Sequence, residues 1–167
     1  MSRAFVKDKE EGPDDAELPP DSAQPLPLTP EGLARLQDRL AAMQSDPAAA
    51  GPVPTDPISA LHRQQLRRDI KLLRRKLARA VVVEPKLHAA DQVAFGHWVT
   101  VADASGRHSL YRIVGEEEDD PAAGWISWLS PLAAALRGNE VGDSVLWRRP
   151  AGDRKLTIIA IHDEKPA

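Results

Sequence analysis

Asp46 and Asp56 are the only acids in the proline-rich stretch Gln44–Pro57. Carboxylates are hard oxygen ligands, so two brought together could hold Mg²⁺ and its attacking water. Here they lie ten positions apart, and each stands directly before a proline, at Asp46-Pro47 and Asp56-Pro57. That placement reads as helix capping or solvation, and no metal ligand is assigned. The acidic run Glu116-Glu117-Glu118-Asp119-Asp120 lacks the alternating spacing and internal glycine of a calcium loop and reads as a solvated loop. Five histidines are scattered without ligand spacing. The absence of cysteine excludes disulfides, thiolate metal sites and cysteine catalysis. No glycine-rich phosphate loop or nucleophile elbow is present. The chain is therefore expected not to be an enzyme and to carry no cofactor.

A second chemistry is cationic. Arg63, Arg67, Arg68, Lys71, Arg74, Arg75, Lys76 and Arg79 crowd one segment. They could meet phosphates or an acidic protein surface, or form a solvated helix face. No aromatic residue interleaves them, which argues against base stacking. Trp98, Trp125, Trp128 and Trp147 are dense for a small domain. Alternation puts Trp125 and Trp128 on opposite strand faces, each available for core packing or as a partner contact.

The chain of 167 residues has a formal net charge of -3 that hides strong segregation. Residues 1–27 hold seven acids and three bases, residues 58–90 two acids and nine bases, and residues 91–167 twelve acids and eight bases. No apolar run reaches the roughly 18 residues of a membrane helix. The N-terminus shows no signal-peptide core, and a cytoplasmic protein is expected. Residues 1–27, rich in proline and acid, read as a disordered tail.

Thr29-Pro30 opens a first helix, with Thr29 as N-cap and Pro30 in the first turn. Leu33, Leu36, Leu40 and Met43 form a narrow apolar seam that should stop near Ser45, before Pro47. Residues 46–57 read as a loop. A second helix starts at Asp56-Pro57, with a seam through Leu66, Ile70, Leu73, Leu77 and Ala80. Two such seams predict an antiparallel coiled-coil hairpin over 28–84, its second arm basic on the outer face. The 77 residues after Ala90 allow a small β-rich domain. Strands are expected over Val93–Asp103, His108–Gly115, Trp125–Leu129, Ser144–Arg149 and Lys155–Ile161. A short helix should open at Ser130-Pro131 and end at Gly138. The fold class is α+β.

Phe95-Gly96, Arg112-Ile113-Val114-Gly115, Ser130-Pro131, Ala135-Leu136, Val141-Gly142-Asp143 and Pro150-Ala151-Gly152 occur in this order. In that order, and in Leu28-Thr29-Pro30-Glu31-Gly32, the chain resembles the bacterial GreA/GreB transcription factors. The resemblance implies a helical hairpin joined to an FKBP-like domain at 91–167 that docks on RNA polymerase beside its secondary channel. It places Leu129, Ser130 and Pro131 at the docking surface and Arg67, Lys71, Arg74 and Arg75 on the arm entering the complex. RNA polymerase is the implied partner, with nucleic acid inside the transcription complex as a further contact and a monomer expected.

Three departures stand out. The family's acidic tip motif, Gly-Asp-x-x-Glu-Asn-x-Asp, is missing. The first arm is about two heptads short, or roughly 20 Å of helix. Leu129 replaces the family's usual Asp or Asn before Ser-Pro, and could equally be a core strand residue. The expected function is occupancy of the channel and modulation of elongation without strong stimulation of transcript cleavage. In this the chain is similar to the regulatory Gre homologues, including the nucleoside diphosphate kinase regulators. The alternatives are a true cleavage factor using Asp46 or Asp56, a nucleic-acid-binding module, and a peptidyl-prolyl isomerase. The last is suggested by fold alone and opposed by the scarcity of Phe and Tyr.

Overall fold

The computed structural model describes residues 23–84 and 92–167. Of the tail expected over 1–27, residues 1–22 lie outside these. The last two tail residues are not tail-like: Leu26–Leu28 form strand β1, parallel to β2 at Ala80–Val82. Alternation sends Leu26 and Leu28 to one face, where both are buried with Leu36 and Leu73. Burial of the two leucines overrides the local proline signal. Backbone bonds from Leu26 N to Arg79 O and from Val83 N to Leu28 O, both 2.9 Å, extend the pairing.

Helix α1 spans Pro30–Ser45 and helix α3 spans Pro57–Ala78. Both begin as the sequence predicts. Thr29 Oγ1 accepts from Gly32 N at 3.0 Å, and Asp56 Oδ1 accepts from Ser59 N at 2.8 Å. The expected loop between them contains a short helix α2 at Pro47–Ala50. Asp46 caps it through Ala48 N at 2.8 Å, and Ala48–Ala50 are strong helix formers. Helices α1 and α3 meet along the predicted seam, where Leu33, Leu40, Met43 and Leu77 pack around buried Leu36 and Leu73.

The second half is a five-stranded sheet in the order β5-β4-β3-β7-β6. Its strands are β3 Trp98–Asp103, β4 His108–Val114, β5 Trp125–Ser127, β6 Ser144–Trp147 and β7 Arg154–His162. All neighbours are antiparallel except β4 and β5, which run parallel and need the crossover through the acidic segment. The strand expected from Val93 begins only at Trp98. Gly96 takes φ 88°, and His97 Nδ1 accepts from Ala94 N at 3.1 Å, so the chain turns there first. Helix α4, Pro131–Leu136, lays Leu132, Ala133 and Leu136 on the core of Val99, Val101, Ile113, Ile126 and Ile158. Each buried Val, Leu or Ile among these stabilises the fold by about 1.5–3 kcal/mol. The molecule is α+β, with the paired helices preceding the sheet.

Candidate functional site

The expected docking residues occupy the turn between β5 and α4. Strand β5 ends at Ser127 because the chain reverses there: Ser130 N donates to Ser127 O at 2.8 Å, and Leu129 N donates to Ser127 Oγ at 3.2 Å. Ser130 Oγ then caps α4 by accepting from Ala133 N at 3.2 Å, with exposed Pro131 in the first turn. Leu129 is 59% exposed, so the alternative of a core strand residue is excluded. Beside it, Trp128 packs against the sheet core, meets Phe95 edge-on at 6.5 Å, and lies 5.4 Å from the Arg137 guanidinium. The turn thus presents an apolar side chain on a rigid base.

The basic residues divide. Arg67, Lys71 and Arg74 are exposed on α3, and Arg75 is half-buried. Arg63 does not belong to the outer face. It is buried, and Nη1 donates to Gly51 O at 2.6 Å, tying α3 to the inter-helix segment. Its place in the seam follows from helical spacing, since it lies three residues before Leu66. Lys76 pairs with Glu117 at 2.8 Å, and Arg79 Nη1 donates to Gln24 O at 2.8 Å.

Asp46 and Asp56 cap different helices, α2 and α3. The amide of Ser59 holds the Asp56 carboxyl below its ordinary value, as the ionised form is the better acceptor. Among the described residues, no group of three or more His, Asp or Glu is arranged to hold a metal ion.

Sequence reasoning missed a buried polar joint between the helices and the sheet. Glu118 is not solvated: it is 6% exposed, at the end of a 3-10 turn at Glu116–Glu118. Its carboxylate accepts from Thr29 N at 3.0 Å, from the Thr29 hydroxyl, and from Gly115 N at 2.9 Å. A Cβ at Gly32 would overlap this carboxylate, and one at Gly115 would overlap Pro27 O. A glycine in the first turn of α1 was the available signal, because glycine costs helix stability unless close approach requires it.

A second contact lies alongside. Arg112, buried on β4, donates from Nη2 to Glu31 Oε2 at 3.0 Å, and its guanidinium sits 5.5 Å and 5.1 Å from the rings of Trp98 and Trp125. Arg35 of α1 lies 3.9 Å from the Trp125 ring centroid. Partial burial works to raise the Glu31 pKa. Its own backbone amide and Arg112 outweigh that, and the carboxyl falls below its ordinary value.

A family model described as transcription elongation factor, GreA/GreB, C-term, matches residues 88–163. The transcription elongation factor GreB of Pseudomonas aeruginosa is 34% identical over 157 residues, covering 86% of this chain and 94% of that one. The GreB of Neisseria meningitidis serogroup A is 39% identical over 99 residues, covering 59% of this chain and 61% of that relative. Among solved structures, the chain is similar to GreA factor homolog 1 of Thermus thermophilus, with TM-score 0.41 and 23% identity, covering 83% of this chain and 99% of that one.

Proposed function

The chain belongs to the GreA/GreB family of transcription elongation factors, and we propose that it binds RNA polymerase near the secondary channel and modulates elongation without strong stimulation of transcript cleavage. In this reading α1 and α3 form an antiparallel coiled-coil hairpin, and the sheet with α4 is an FKBP-like docking domain. The domain boundaries follow the sequence, 28–84 and 91–167, with the strand at Leu26–Leu28 joined to the first. The protein acts as a cytoplasmic monomer and catalyses nothing itself.

One observation carries the cleavage half of the proposal. The only two carboxylates of the inter-helix segment each cap a different helix. A coordinating pair would have to leave both caps and converge on one ion. Docking is assigned to exposed Leu129 and Pro131 with Ser130 holding the turn, and electrostatic attraction to Arg67, Lys71, Arg74 and Arg75. Phosphates of nucleic acid within the complex are a further contact for that arm.

The test is titration of the full chain against core RNA polymerase. Binding at low salt is expected, and replacing Arg67, Lys71, Arg74 and Arg75 with Gln should weaken it about tenfold or more. The difference should shrink as salt rises, because exposed charges are screened over about 10 Å at 0.1 M. Absence of binding by the wild-type chain at low salt rejects the reading.

A further inference from the structure

We propose that the end of the paired helices, where α2 meets the start of α3, is an aliphatic knob that docks in an apolar groove rimmed by carboxylates on RNA polymerase. This rests on the polymerase-binding reading above. Ile58, Leu61 and Val53 are 83%, 67% and 75% exposed there. Ile58 and Leu61 are three residues apart, so they share one face of α3, and that face is not the seam through Ile70 and Leu73. Beside them an open cleft of about 590 Å³ is lined by Pro47, Ala48, Pro52, Pro54, Ile58 and His62. The cleft is a built feature, since Asp46 caps α2, Asp56 caps α3, and Arg63 holds Gly51 O from below. Large aliphatics on the rim of a braced cleft mark an interaction surface rather than scattered surface apolarity.

The chemistry of the occupant follows from what surrounds the knob. Helix α3 carries seven Lys and Arg against one acid, Asp69. A second copy would bring the same cations to the contact, so self-association is opposed by like charge. A groove with an apolar floor and an acidic rim satisfies both the knob and the arm behind it. Residues 23–84 contain no Phe, Tyr or Trp, and the most exposed large side chains at this spot are aliphatic, which disfavours base stacking there.

The experiment compares the wild-type full chain with Ile58→Ser/Leu61→Ser and with Ile58→Leu/Leu61→Met for binding to core RNA polymerase. Titrations are run at about 0.1 M and about 0.5 M salt. Both positions are exposed, so thermal melts should match the wild type. The serine pair should weaken binding about tenfold or more at both salt concentrations, because lost apolar burial is not screened. The conservative pair should bind as the wild type does. Equal binding by wild type and serine pair overturns the knob and leaves the polymerase reading standing. Failure of the wild type to bind overturns both. A wild-type dimer in sedimentation that the serine pair abolishes assigns the knob to a second copy and overturns the acidic-groove occupant.

Discussion

Glu118 shows how far one side chain can differ from its local sequence. It lies in a run of five acids, where solvation is the ordinary outcome. Instead it is buried against Thr29, 89 positions away, and completes the hydrogen bonding of the N-cap of α1. No local pattern encodes a contact at that separation. Within the same run, Glu117 pairs with Lys76, Asp119 Oδ1 accepts from Ser127 N at 2.8 Å and Asp120 Oδ1 accepts from Ala123 N at 3.3 Å, so four of the five acids are structural. Replacing Glu118 with Ala strips the acceptor from Thr29 N and Gly115 N inside a buried joint. Buried donors left unpaired are costly, so Glu118→Ala should lower unfolding stability by about 2–4 kcal/mol in urea titration. A loss below about 0.5 kcal/mol, the level of an ordinary surface substitution, would mean that the carboxylate is solvated after all. The helix start at Ser130-Pro131 was legible for a different reason. Ser130 and Pro131 act within one helical turn, and their roles can be read from adjacent positions.

The elements divide along the same line between local and distant causes. Thr29-Pro30, Asp56-Pro57 and Ser130-Pro131 each open a helix where the sequence places one, because an N-cap and its amide are at most three residues apart. The signal Asp46-Pro47 is of the same kind and opens α2, but the surrounding prolines made the segment read as loop. The seam of Leu33, Leu36, Leu40 and Met43 was equally readable, since its period is set by the helix itself. Strands β1 and β2 were not. They are three residues each and pair Leu26 with Ala80 across the whole helical segment. Gly32 sits where these causes meet. Alanine ordinarily stabilises an exposed helix position by about 1 kcal/mol over glycine. In α1 the added Cβ would enter the space of the Glu118 carboxylate, so Gly32→Ala should lower the melting temperature instead of raising it. The same substitution in a Glu118→Ala background should recover part of the loss, because the obstructing carboxylate is gone. A rise in Tm for Gly32→Ala alone would show that the joint opens without cost.

At the scale of the whole molecule, the polar joint decides what the helices can deliver. Thr29–Glu118 and Glu31–Arg112 fix the base of α1 to the sheet, and Lys76–Glu117 fixes the base of α3. With their bases tied to the sheet, the helices project an end whose position is set by helix length. Helix α1 has 16 residues and α3 has 22. At about 1.5 Å per residue, α1 advances roughly 24 Å from end to end. A cleavage factor must carry a pair of carboxylates to the polymerase active centre and hold them on one metal ion or its water. This end carries Val53, Ile58 and Leu61 outward, and its two carboxylates are engaged as caps of different helices, on Ala48 N and Ser59 N. Added to backtracked elongation complexes with Mg²⁺, the protein should therefore leave the rate of dinucleotide release unchanged. Under the proposed occupancy of the channel, it should also slow release driven by a genuine cleavage factor, because the two would compete for one channel. Acceleration that is lost in Asp46→Asn or Asp56→Asn would show that the caps open in the complex and that the end is a working cleavage tip. Unchanged release without competition would place the docking site elsewhere on the polymerase. Competition without acceleration is the signature of an occupant, and it follows from where this chain places its carboxylates.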